Sequence, residues 1–83
     1  MIFTVVWSTA ALDLLTILSL DAVDRRAVSE SADRIDRELR IDAHTKGEPL
    51  GALRVLSDNP LAVLYDVDEG DQMVRVISVR SKS

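Results

Sequence analysis

The sequence predicts an α+β domain in which two helices cover one face of an antiparallel sheet. Three observations carry this. From Leu53 to Val79 the chain reads as three strands joined by two tight turns. Upstream of these lie two stretches with apolar residues at helical spacing. Ahead of both helices stands a run of strand formers, Ile2 to Trp7. The expected order is therefore an N-terminal strand, a two-helix antiparallel hairpin and a three-stranded antiparallel meander. Short links allow only antiparallel neighbours within the meander. Parity makes the first strand antiparallel to the first and third meander strands, and the expected sheet has four strands. Two layers suffice for one core. At 83 residues the chain is read as a single domain, residues 1–83, with little surface to spare for burial.

Each element has a local reason. Ile2 to Trp7 is β-branched and aromatic, which suits a pleated surface. Either Ser8 or Thr9 offers a hydroxyl to cap a helix from Ala10 to Leu20. Ala11, Leu14, Leu15 and Leu18 share one apolar face of it. Leu12, Ile17 and Leu20 are left over, so its apolar arc is wider than one contact requires. They are taken as a partner-binding surface, for a partner protein or a second copy in a homodimer, against covering by the second helix. Asp21 caps a second helix, Ala22 to Asp42, with Val28, Ala32, Ile35 and Leu39 as its stripe. Its other side pairs acid before base at Glu30–Arg34, Asp33–Arg37 and Asp36–Arg40, and reads as a solvated face. Ala43 to Leu50 is a loop, broken by Gly47 and Pro49. In the meander, Leu61, Val63, Tyr65 and Val67 alternate with Ala62, Leu64 and Asp66, and Asp68 to Asp71 turns the chain.

Composition narrows the chemistry. There is no cysteine, so no disulfide or thiolate metal site, which fits a cytoplasmic protein. The single histidine, His44, cannot build a multi-histidine site and is expected to face solvent. No metal or cofactor is expected. The apolar start lacks the basic segment of a signal peptide, and Asp13 breaks it as a membrane span. A net charge of −4 is unfavourable for phosphate binding, yet after Gln72 every charged residue is basic. Arg54, Arg75, Arg80 and Lys82 are the candidate bases. On an open sheet face they can hold a phosphate; the competing reading is that strand arginines mark a wet face or a sheet edge. Tyr65 is a phenolic acid–base candidate but shares the face of Leu61, Val63 and Val67, which favours the core. Asp66, Asp68, Glu69 and Asp71 lack the spacing of a calcium loop and read as a solvated turn.

In this order, the stretches VVWSTAALDLL, ADRIDRELR, GEPLGALRVL, LAVLYDVDE and VRVISVR resemble the RelE/ParE toxin superfamily over nearly the whole chain. The resemblance implies a toxin of a type II toxin–antitoxin pair, bound by a cognate antitoxin. RelE-like members cut messenger RNA on the ribosome without a metal, and ParE-like members poison DNA gyrase. It also implies that the catalytic candidates are Arg54, Arg80 and Lys82. The family's middle strand usually reads Tyr-Arg-Val-x-Tyr, its Arg serving the ribonuclease site. The same frame here is Leu61-Ala62-Val63-Leu64-Tyr65, with Ala62 in place of that Arg. The chain stops at Ser83, ahead of the tail that carries the usual Tyr. The expectation is a toxin-module protein with a reduced or absent ribonuclease site. The alternatives are a gyrase-type poison and a non-toxic binding module on the same fold.

Overall fold

A computed structural model describes residues 1–82. Strand β1 is Thr4–Trp7, followed by helices α1, Thr9–Asp21, and α2, Arg25–Leu39. A 3-10 turn, Ala43–Thr45, leads to β2, Glu48–Leu50, β3, Leu53–Asp58, β4, Leu61–Asp68, and β5, Met73–Ser81. The strands form one five-stranded sheet in the order β1-β5-β4-β3-β2. The α+β class and the meander β3-β4-β5 stand as expected, but the sheet has five strands and is mixed.

The extra strand explains both differences. Glu48, Pro49 and Leu50 pair antiparallel with Val55, Arg54 and Leu53. They are too few to show a period in the sequence, and a proline is tolerated on such an edge. Adding β2 inserts one more reversal before the meander. That turns β5 round, so β1 runs parallel to it, with Thr4 opposite Met73 and Trp7 opposite Val76. The return from β1 to β5 is thus a crossover through the helices.

Tyr65 fastens this hairpin. It is fully buried, and its hydroxyl donates toward the carbonyl oxygens of Lys46, at 2.7 Å, and Ala43, at 3.0 Å. Gly47 lies beside it in the left-handed region, φ +66°, where a Cβ would run into the Val55 carbonyl. Only glycine lets the chain pass so close. Tyr65 is therefore a core residue.

Helix α1 starts where a hydroxyl cap was expected. Ser8 Oγ accepts the Ala11 N–H at 3.1 Å. The link to α2 falls later than the sequence suggests: α1 runs through Asp21, and Asp24 rather than Asp21 caps α2. Ala22 is extended, with φ −72° and ψ 140°, which separates the helices. At its far end α2 stops at Leu39, and Asp42 adopts a left-handed φ of 54° instead of continuing the helix.

Val28, Ile35 and Leu39 are buried with Phe3, Leu56, Leu61, Val63, Tyr65, Val74, Val76 and Val79, and Ala32 packs against them. Leu15 and Leu18 of α1 join this core, whereas Leu14 remains exposed at the flank of the helix. The charged face of α2 pairs differently from the simple i,i+4 reading. Asp36 does hold Arg40, at 2.6 Å. Glu30 instead takes Arg26, and Arg34 reaches across to Asp58 on β3 at 2.8 Å. Asp36 also accepts the Trp7 indole N–H at 3.1 Å, tying α2 to β1.

Candidate functional site: the open face of the sheet

The helices cover one face of the sheet and leave the other open. Alternation and register assign each residue to a face. On β4, Leu61, Val63 and Tyr65 point to the helices, so Ala62, Leu64, Asp66 and Asp68 belong to the open face. Opposite them on β3 stand Val55 and Ser57, with Leu50 on β2. On β5 the pattern is interrupted. Tyr65 faces Val76, but Leu64 faces Ser78, so Ile77 is an extra residue in a β-bulge. A bulge re-aims the side chains beyond it. Arg75, before it, and Ser78 and Arg80, after it, all reach the open face. Without the bulge Arg80 would point into the helix layer. Ser8 secures the irregularity: its N–H donates to the Val76 carbonyl at 3.0 Å and its hydroxyl to the Ile77 carbonyl at 3.3 Å.

Leu50, Val55, Ala62, Leu64, Ser78 and Arg80 line a cavity of about 200 Å³ on this face. Its floor is Ala62, only 2% exposed although it points away from the helices. Arg80 lies directly opposite Ala62 in the β4–β5 register. The site is an apolar groove with a guanidinium and a hydroxyl at one side. Such a groove can hold an apolar group next to an anion.

The predicted bases do not assemble here as a set. Arg54 is on the other side of the sheet: it is paired with Tyr65 and lies two residues from the core residue Leu56. Its Nε donates to the Lys46 carbonyl at 2.7 Å, so it braces the β2 hairpin rather than facing the open surface. Leu53-Arg54-Val55-Leu56 contains no clean alternation, which is why the sequence does not assign it a face. Arg75 is on the open face but sits opposite Asp66, in a small cavity shared with Asp68 and Asp71. Three carboxylates around one guanidinium oppose a second anion. Arg75 and Arg80 are on the order of 16 Å apart along the strand. Arg80 and the exposed Lys82 remain together at the far end of β5, and none of the ion pairs among the described residues takes either.

Two further groups are placed away from this chemistry. Burial pushes the Tyr65 phenol above its ordinary pKa, while Arg54 beside it pulls the other way. A buried phenol held by carbonyls is not available to a ligand on the open face. His44 is not solvent-facing as expected. It lies half-buried in the 3-10 turn with its ring 5.5 Å from that of Phe3, and its Nδ1 is buried without a partner. Leu12, Ile17 and Leu20 lie exposed on α1, in the other layer. Among the described residues no cluster of three or more His, Asp or Glu is placed to hold a metal ion, and no helix is long and apolar enough to cross a membrane. What the sequence could not reveal is the groove itself. Leu50 becomes part of it only through β2, and Ser78 only through the bulge.

No protein-family model and no curated protein matches the sequence. Solved structures do. The chain is similar to the RelBE2 toxin–antitoxin complex from Mycobacterium tuberculosis, with TM-score 0.80 and 18% identity over 98% of this chain and 99% of that one. The chromosomal ParDE system from P. aeruginosa gives 0.74 at 10% identity, covering 99% and 98%. An E. coli RelE mutant in the free state gives 0.69 at 14% identity, covering 98% and 84%. Likeness at such identity reports architecture, and the chain therefore has a RelE/ParE-like fold, two helices on one face of a five-stranded mixed sheet.

Proposed function

We propose that this is a cytoplasmic toxin-module protein of a type II toxin–antitoxin pair, held by a cognate antitoxin, whose open face binds rather than cuts. The observation that carries the reading is Ala62, a buried methyl at the centre of the face where a ribonuclease of this fold is expected to carry an arginine. Cleaving a phosphodiester needs a group to accept a proton and a cation to meet the developing charge. Arg80 and Lys82 can meet an anion. No histidine or tyrosine stands beside them: Tyr65 is sealed in the core, and His44 packs on Phe3. The carboxylates of β4 lie at the other end of the face, with Arg75. The likeness to toxins solved with their antitoxins supports the partner.

The test is induced expression in a bacterial host, followed by purified assays. The expected outcome is no ribosome-dependent cleavage of messenger RNA. Cleavage that disappears in Arg80→Ala would overturn the reading. A gyrase-type poison is the second reading, because it does not require the ribonuclease residues that Ala62 removes. Growth arrest together with inhibited supercoiling would select it. No arrest and no effect in either assay would select a binding module.

A further inference from the structure

We propose that the groove on the open face is a receptor site for a free aliphatic carboxylate, with its head on Arg80 and its chain across Ala62. The inference rests on the reading of that face as one that binds rather than cuts, and it names the chemistry of the ligand. The groove is polar at one end only. It passes across the sheet from Arg80 and Ser78 on β5, over Ala62 and Leu64 on β4 and Val55 on β3, to Leu50 on β2. That is three strand spacings, about 14 Å. Ala62 keeps the floor low because its side chain ends at a methyl. Leu64 and Val55, paired across β4 and β3, form one wall. The space, about 200 Å³, equals roughly seven water molecules in volume. The guanidinium at the β5 end is exposed and takes no ion pair among the described residues. The carboxylates of the face stand elsewhere. Glu48, opposite Val55, lies at the β2 end, and Asp66, Asp68 and Asp71 surround Arg75. One negative charge is therefore favoured at Arg80 and opposed at both of those places.

The lining disfavours two larger occupants. The only Phe, Trp and Tyr of the chain are Phe3, Trp7 and Tyr65. Phe3 and Tyr65 are buried in the core, and Trp7 packs against it with its indole on Asp36. None is left on the open face to stack a nucleobase. A chain of phosphates running on from Arg80 would also meet the carboxylates. A polypeptide would bring amide groups that need partners. Around Ala62, β4 is already paired on both sides, to Ser57 on β3 and to Arg80 on β5, so the backbone beneath offers none. An aliphatic acid brings no polar group beyond its head. Its carboxylate can take two parallel N–H bonds from the guanidinium, and the Ser78 hydroxyl can add another donor. Its methylenes gain by leaving water against Val55, Leu64 and Leu50.

The test titrates the purified full chain with butanoate, hexanoate and octanoate by calorimetry, and amide shifts in the NMR spectrum locate the site. Octanoate is expected to shift Ala62, Leu64 and Arg80. Affinity should rise about two- to fourfold per methylene along the series. Octanamide, equal in length but uncharged, should bind about tenfold more weakly than octanoate. Arg80→Gln should cause a similar loss, and Ala62→Leu, which fills the floor, should abolish binding. If Ala62→Leu unfolds, Leu50→Glu takes its place, since Leu50 is exposed on the edge strand, and it should weaken octanoate. The proposal is overturned if octanamide binds as well as octanoate, or if affinity ignores chain length or Arg80. It is overturned if Ile17→Ser removes binding, because the acid is then adsorbed on the exposed side of α1. It is overturned equally if a leucine-ended peptide or a short oligoribonucleotide displaces octanoate at lower concentration than octanoate itself requires, since the occupant is then a polymer. The two readings fail separately. Ribosome-dependent cleavage removes the reading of the face, whereas absent octanoate binding without cleavage removes this inference alone.

Discussion

The two helices lie in the same layer, yet they are built on opposite plans. Helix α2 has one buried stripe, Val28, Ser31, Ile35 and Leu39, and a charged remainder. Helix α1 is apolar around most of its circumference and fully buries only Ala11. A strongly amphipathic helix is complete once its stripe meets the sheet. Helix α1 meets β5 with one side and leaves the rest in water. The contrast teaches that hydrophobicity alone does not locate a core: the less apolar helix is the better buried one. Most of a helix's stability comes from the face it packs, so the two should respond very differently to substitution.

The largest effect should come from Ile35→Ala. Ile35 is fully buried, and such truncations cost about 2–5 kcal/mol. Urea unfolding should show a large loss of stability, and a near-neutral result would remove the distinction between the helices. Next come the caps. Ser8→Ala removes a cap and the tie to the Ile77 bulge, whereas Asp24→Ala removes only the bond to Ala27 N–H, 3.1 Å long. Expected losses are about 1–2 kcal/mol for Ser8 and about 1 kcal/mol for Asp24. The reverse order would mean that α1 is the more loosely anchored helix at its start.

Tyr65 tests the far end of α2, which it fastens through Ala43 and Lys46. Removing its hydroxyl in Tyr65→Phe should cost about 1 kcal/mol. Its raised pKa also gives a pH dependence. The folded state holds the phenolic proton more tightly than the unfolded chain does. Its contribution is therefore complete below the ordinary tyrosine pKa of about 10 and is lost as pH rises toward the folded value. Because Tyr65 is the only tyrosine, its ultraviolet titration reports this directly, and a titration at the ordinary value would place it nearer solvent. The smallest effect should be Ile17→Ala, within about 0.5 kcal/mol by urea unfolding of the isolated chain. A cost near that of Ile35→Ala would make α1 ordinary core.

Legibility in the sequence followed the strength of the local period. The stripe of α2, the hydroxyl cap of α1 and the alternation of Leu61, Val63 and Tyr65 are each set by neighbours a few residues away, and each was readable. Glu48-Pro49-Leu50 was not, since three residues carry no period, and missing them reversed the parity of β1. The face of Arg54 is not legible, because its flanking residues are apolar on both sides of the strand. Nor is the exposure of Leu14, because an all-apolar helix does not say which side is in. The groove depends on β2 and on the bulge, both of which exist only in the pairing of strands distant in sequence.

Ile77 has a consequence for how such a chain can vary. It separates β5 into two segments whose inside-outside alternation is out of phase, with Arg75 in the first and Ser78 and Arg80 in the second. Drawing Ile77 into a regular ladder would turn the second segment over, carrying Arg80 into the oily layer and Val79 into water, with no side chain replaced. Deleting Ile77 would instead leave Val76 and Ser78 as consecutive rungs opposite Tyr65 and Leu64 and keep Arg80 on the open face. The location of positive charge near the C-terminus is thus a matter of phase as well as of composition. The two bonds from Ser8 to the Val76 and Ile77 carbonyls thus hold the phase of the segment that follows.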